Sequence, residues 1–148
     1  MRIQTLLLLL FLGGCAVGPN PNDVALGNLP QHYRHFDAEL AWGVRDTPSG
    51  AVVDGVIKNV RYAYLTNIEV YVALLDQQGK EASRSVGYVV PVQLPMDQSA
   101  SFSVKLKRAA PPGSRLRFTY VYYFNEGGDT ETPDQRWQES FESVVPPR

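Results

Sequence analysis

The chain has 148 residues, with 14 basic and 15 acidic side chains, a net charge of −1 and a single cysteine. So even a balance argues against a nucleic-acid partner, whose phosphates call for a strongly basic face. One thiol cannot form a disulfide within the chain, and the length suits one domain with a tether.

Met1-Arg2-Ile3-Gln4-Thr5 carries one positive charge, and residues 6–12 are unbroken apolar sequence running into Gly13-Gly14-Cys15. A charged head, a short apolar core and small residues at a cleavage point make the order of a signal peptide. The apolar run falls far short of the roughly 20 residues that cross a bilayer. Leu12-Gly13-Gly14-Cys15 resembles the bacterial lipobox. That resemblance implies a lipoprotein signal peptide over residues 1–14, cleavage before Cys15, and a diacylglyceryl group, with a further fatty-acyl chain such as palmitate, on Cys15. Two or more chains anchor a protein stably where one does not. Ala16 after the cysteine resembles an outer-membrane sorting signal, which implies the inner leaflet of the outer membrane, facing the periplasm.

Residues 15–37 are then the lipidated cysteine and a tether, rich in Gly18, Pro19, Asn20, Pro21, Asn22 and Pro30 and without a sustained period. Within it, residues 28–36 have a second option, docking on the domain through Leu29, Tyr33 and Phe36.

From residue 38 to 148 apolar residues recur at every second position in short runs, the period of strands half buried in a sheet. Leu40, Trp42 and Val44 share a face of the first run, and Val53, Gly55 and Ile57 a face of the second. Ile68, Val70, Val72 and Leu74 form the third, ending at Asp76-Gln77-Gln78-Gly79. The fourth presents Val86, Tyr88 and Val90 and stops at Pro91. The fifth sets Ala100, Phe102, Val104 and Leu106 against Ser101, Ser103, Lys105 and Lys107. Leu116, Phe118, Tyr120, Tyr122 and Phe124 make the sixth, and residues 137–145 the seventh. Seven such runs, with turn signals every eight to twelve residues, predict an all-β, immunoglobulin-like antiparallel β-sandwich of about seven strands. Gly55 is expected where a side chain would crowd a facing strand or bulge, and Asn59 where its amide can bond turn backbone.

The stretch Val52-Val53-Asp54-Gly55-Val56-Ile57-Lys58-Asn59, with Asn67-Ile68-Glu69-Val70-Tyr71-Val72-Ala73-Leu74-Leu75-Asp76 and Gly79-Lys80, resembles FxLYD-type bacterial domains. Ser99-Ala100-Ser101-Phe102-Ser103-Val104 matches their strand after a Pro-Gly-Glu turn, which here reads Leu94-Pro95-Met96-Asp97-Gln98. The resemblance spans about residues 50–125 and implies an immunoglobulin- or fibronectin-like sandwich, with no catalytic residues to carry over.

The chain lacks a nucleophile elbow, a phosphate loop and a zinc helix. His32 and His35, the two histidines, fall short of the three or four ligands of a zinc site and are expected to be solvated on the tether. Glu126-Gly127-Gly128-Asp129-Thr130-Glu131-Thr132-Pro133-Asp134 does not follow the helix-loop-helix calcium spacing and reads as an exposed acidic loop. Neither metal nor cofactor is expected, and no enzyme.

Tyr120, Val121, Tyr122, Tyr123 and Phe124 are consecutive, so both faces of that strand are apolar, where one wet face would alternate. Either the tether or the last strand covers the outer face, or the face recruits a partner. Tyr62, Tyr64, Val121, Tyr123 and Trp137 are the expected partner contacts. The expected function is a lipid-anchored binding or assembly module, a monomer or weak oligomer, that contacts another cell-envelope protein through a sheet edge or aromatic patch. The alternative is a carbohydrate- or peptidoglycan-binding module using Trp137 and Tyr123 as a stacking platform.

Overall fold

The structure, a computed structural model, describes residues 20–125 and 134–147. Along the chain lie α1 (Pro21–Asn28), β1 (Gln31–Arg34), β2 (Ala38–Thr47), β3 (Gly50–Asn59), β4 (Leu65–Leu75) and β5 (Glu81–Tyr88). Then come β6 (Gln93–Leu94), β7 (Ser99–Lys105), β8 (Arg115–Phe124) and β9 (Gln135–Val144). One antiparallel sheet has the order β1-β2-β3-β7, and the other β5-β4-β8-β9 with β6 also paired to β4. The chain is an all-β sandwich. All seven expected strands are present, and β1 and the two-residue β6 are additions.

Local chemistry explains most of these elements. In β7, Ala100, Phe102 and Val104 are buried while Ser101 and Ser103 are exposed, so a single residue's slip would turn the whole apolar set to water. The turn after β4 closes on Asp76, whose side-chain oxygen accepts from the backbone N–H of Gln78 at 2.9 Å and of Lys80 at 2.8 Å. Between β6 and β7, Asp97 takes a φ of 61° in a turn closed by Gln98 N–H donating to Pro95 O. An aspartate tolerates that left-handed conformation better than most residues other than glycine.

The two sheets bury Trp42 against Phe118 at 4.5 Å between ring centroids, with Phe118 stacked on Phe141 at 5.1 Å. A Cβ on Gly55 would stand 2.4 Å from the Phe102 ring and 2.6 Å from the Ala41 carbonyl, so the ring of Phe102 occupies the space a side chain would need.

Two expectations are corrected. The segment expected to be tether belongs to the fold from residue 21 onward. Its helix buries Leu26 against Ala41 and Val56 on the outer face of the first sheet. Its strand β1 extends the edge of that sheet, where Tyr33 stacks on Phe141 of β9 at 3.7 Å and its hydroxyl donates to Glu139 at 3.4 Å. The docking option for residues 28–36 is thus the one realised, by apolar area that free coil would leave in water.

The second correction concerns β5. Val86 is only partly buried, and Tyr88 and Val90 are exposed, whereas Gly87 and Val89 point inward. A Cβ on Gly87 would lie 2.5 Å from the Ser103 carbonyl oxygen of β7. The two edge strands approach so closely there that only glycine fits the inner position, and the larger side chains take the outside.

Candidate functional site

Four connections between described strands gather at one end of the sandwich: residues 35–37, 60–64, 89–92 and 95–98. The β8–β9 connection leaves from the same end, because Phe124 pairs with Gln135 and Tyr123 with Thr66.

Asn59 organises this end. Its amide nitrogen donates to Ala63 O and to Leu94 O, each at 2.9 Å, while its oxygen accepts from the Arg61 N–H at 2.8 Å. One side chain thereby ties the 60–64 loop to β6, the backbone-bonding role expected of it.

Beside it lies a polar group that periodicity did not reveal. Asp37 is wholly buried, and its carboxylate accepts from the Tyr120 and Tyr122 hydroxyls, each at 2.8 Å, and lies 2.8 Å from His35 Nδ1. Arg61 donates to the Tyr122 hydroxyl at 3.3 Å and sets its guanidinium 3.6 Å from the centre of the Phe124 ring. Burial pushes both tyrosine hydroxyls well above their usual range, and the adjacent Asp37 charge pushes the same way. A buried carboxylate would be costly alone, and here several donors satisfy it. Asp37 and the two tyrosines are closed to solvent, with His35 and Arg61 at the partly exposed rim, and the cluster fastens β1–β2 to β8. Its sequence signal was the pair of tyrosines among phenylalanines on an inward face, since a buried hydroxyl calls for a partner.

The outer wall next to this end carries a cleft of about 520 Å³ lined by Asn67, Glu69, Tyr88, Val90, Val92 and Tyr123 among others. It exists because the strand running along β4 bulges. Val89 donates to Ile68 O and Asn67 donates to Val92 O, so Val90 and Pro91 loop out between two normal pairings. Val90 on that bulge and Tyr88 and Val92 on either side of it are exposed, and Tyr123, at 37% exposure, closes the far wall.

The five expected contact residues do not form one surface. Tyr123 lines the cleft. Val121, two positions earlier on the same face, is only 3% exposed, with Glu69 and Gln138 beside it in register, and is corrected to a buried position. Trp137 pairs with Tyr122 and packs against the core, on the opposite face of the sheet from Tyr123, with Phe36 edge-on at 5.4 Å. Tyr62 and Tyr64 are exposed at the tip of the loop end. Among the described residues neither expected cover lies over the outer face of β8: the 21–34 segment packs on the other sheet, and β9 pairs at the edge of β8. Sequence reasoning missed Tyr88, Val90 and Val92 as surface residues, for which Gly87 was the available signal.

His32 is exposed and His35 is turned onto Asp37. Among the described residues no three His, Cys, Asp or Glu side chains are grouped to hold a metal ion, and no helix is long and apolar enough to cross a membrane. Cys15 and residues 126–133 of the acidic loop lie outside the described residues.

Fold and site together define a small β-sandwich with a polar-clamped loop end and an apolar cleft on its wall. No protein-family model matches the chain, and no curated protein matches its sequence.

Proposed function

We propose that this protein is a lipid-anchored, non-catalytic module of the bacterial cell envelope that holds another envelope protein. The anchoring rests on the lipobox-like Leu12-Gly13-Gly14-Cys15, and the resemblance to FxLYD-type domains accords with a binding rather than a catalytic role. The observation that carries the binding role is the cleft beside the β5–β6 bulge, where Tyr88, Val90, Val92 and Tyr123 remain in water beside Asn67 and Glu69. Aromatic and aliphatic walls with a few polar groups suit a segment of polypeptide that presents an apolar side chain and backbone amides. A glycan reading has less support, because its two proposed platform residues, Trp137 and Tyr123, face opposite sides of the sheet.

The test is photocrosslinking in intact cells from a benzophenone amino acid at Val92 or Tyr123, with Gln78 at the far turn as control. A discrete protein adduct from the cleft positions that is lost with Tyr88→Ser supports the reading. Cleft and control positions that give the same adducts overturn it.

A further inference from the structure

The described chain begins at the loop end. Asn20 caps α1 by accepting from the Asn22 N–H at 3.0 Å. Asn22 donates to Ser99 O at 3.1 Å, the Ser99 hydroxyl donates to Asp23 at 2.5 Å, and Lys58 Nζ lies 4.0 Å from the same carboxylate. Lys58 and Ser99 are the last paired rung of β3 and β7 before the loops. From there α1 descends the sheet until Leu29 and Pro30 lie against Gly43, so Asn20, the first described residue, stands at the end where the loops are.

Four residues lie between Cys15 and Asn20, so the five steps from one to the other reach at most about 18 Å when fully extended. The turns at the opposite end lie about 30 Å farther along ten-residue strands such as β3.

Exposed apolar side chains follow the same polarity. Phe36, Tyr62, Tyr64, Val90, Val92 and Met96 all lie in the connections of the loop end, and Tyr62 is 93% exposed. Among the described residues only Val144 is a large exposed apolar side chain at the other end. Tyrosine favours the boundary between lipid and water, where the ring meets acyl chains and the hydroxyl stays wet.

We infer that the loop end is a membrane-seating face: Tyr62, Tyr64 and Met96 dip into the headgroup layer of the bilayer that holds the Cys15 lipid. This rests on the lipoprotein reading above. The lipid brings the loop tips to the surface, and their burial fixes which end of the sandwich faces it. The cleft wall then stands beside the membrane, its opening directed along the plane. With 14 basic and 15 acidic side chains in the whole chain, the seating is apolar rather than electrostatic, so it needs neither anionic lipid nor low salt.

The experiment uses the full-length, lipidated protein in phosphatidylethanolamine–phosphatidylcholine vesicles. Acylation occupies Cys15, leaving a new cysteine as the one free thiol for an environment-sensitive fluorophore, placed in turn by Tyr62→Cys, Met96→Cys and Gln78→Cys. Nitroxide lipids that quench near the headgroups should extinguish emission at positions 62 and 96 and leave 78 unchanged, at low and high salt alike. Lipidated protein with positions 62 and 96 as unquenched as 78 would overturn this inference alone. A blue shift at 62 or 96 without nitroxide quenching would overturn it in favour of a protein contact there. Mass spectrometry showing Cys15 unmodified in the cell envelope would overturn the inference together with the lipoprotein reading.

Discussion

Asp37 and Tyr122 stand 85 residues apart and share a 2.8 Å hydrogen bond from which solvent is excluded. The bond joins the turn that follows β1 to the inner face of β8, so the first sheet's edge and the second sheet's centre are held by one carboxylate. Removing that carboxylate strands the Tyr120 and Tyr122 hydroxyls in the interior. Asp37→Ala is expected to destabilise the domain by about 3 kcal/mol, since each stranded buried donor costs about 1 to 3 kcal/mol. Tyr122→Phe, which removes a donor and leaves the carboxylate its other partners, should cost less. Urea unfolding of the two variants checks the order.

The same cluster sets an alkaline limit. Tyr120 and Tyr122 hold their protons more tightly in the fold than in the unfolded chain, through burial first and Asp37 second. Their folded pKa values lie above the unfolded value of about 10. The unfolded chain therefore loses these protons first as pH rises. Stability from this source is complete below about pH 10 and falls as pH climbs from there toward the folded values. Unfolding midpoints at pH 8 and pH 11 should lie farther apart in the wild type than in the Tyr120→Phe, Tyr122→Phe double variant, where the raised Tyr33 and Tyr71 still contribute.

Deleting residues 16–36 removes Leu26 from its contact with Ala41 and Val56 and unstacks Tyr33 from Phe141. A loss of about 3 kcal/mol is expected from the apolar area exposed. Tyr123→Ser, on a wall that no described segment covers, should leave stability within about 0.5 kcal/mol. Urea unfolding of both variants separates fold from surface. A large loss in Tyr123→Ser would show that the cleft wall carries structural weight.

Gly87→Ala forces a methyl group to within 2.5 Å of backbone oxygen on β7. Overpacking of this kind costs about 1 to 3 kcal/mol, because backbone yields less readily than a side-chain tip. Gly113→Ala meets no atom within 4 Å, although its φ of +88° strains any side chain. Thermal melts should place Gly87→Ala well below Gly113→Ala.

Phe102→Ala is expected to cost about 3 to 5 kcal/mol by emptying a core site, while Ser101→Lys, on the exposed face of the same strand, should be nearly silent. Equal losses in chemical denaturation would invert the facing of β7.

Period-two alternation was legible because each strand has one wet and one dry face, a property written residue by residue. It located β2, β3, β4, β7 and β8 with the correct inner faces and placed Asn59 in the role it holds, while the crowding at Gly55 comes from Phe102 and Ala41 on the neighbouring strands of its own sheet rather than from a facing strand. It misread β5, where alternation favoured Val86, Tyr88 and Val90 and a neighbouring strand's backbone overruled them. The inner position went to glycine because of a distance between edge strands, and no local pattern carries that distance. The same holds for Trp137 and Tyr123, whose separation onto opposite faces depends on the register of β9 against β8.

The sequence by itself determined that the domain is all-β, where its seven long strands lie and which residues could form its core, because burial acts on each side chain through its own chemistry. Only the tertiary structure decided that residues 21–34 join the sandwich, that Asp37 meets two tyrosines, and that the chain's first described residue emerges among the exposed aromatic loops. Those outcomes depend on which segments become neighbours across tens of residues, and that choice is made by close packing and hydrogen-bond satisfaction over the whole chain.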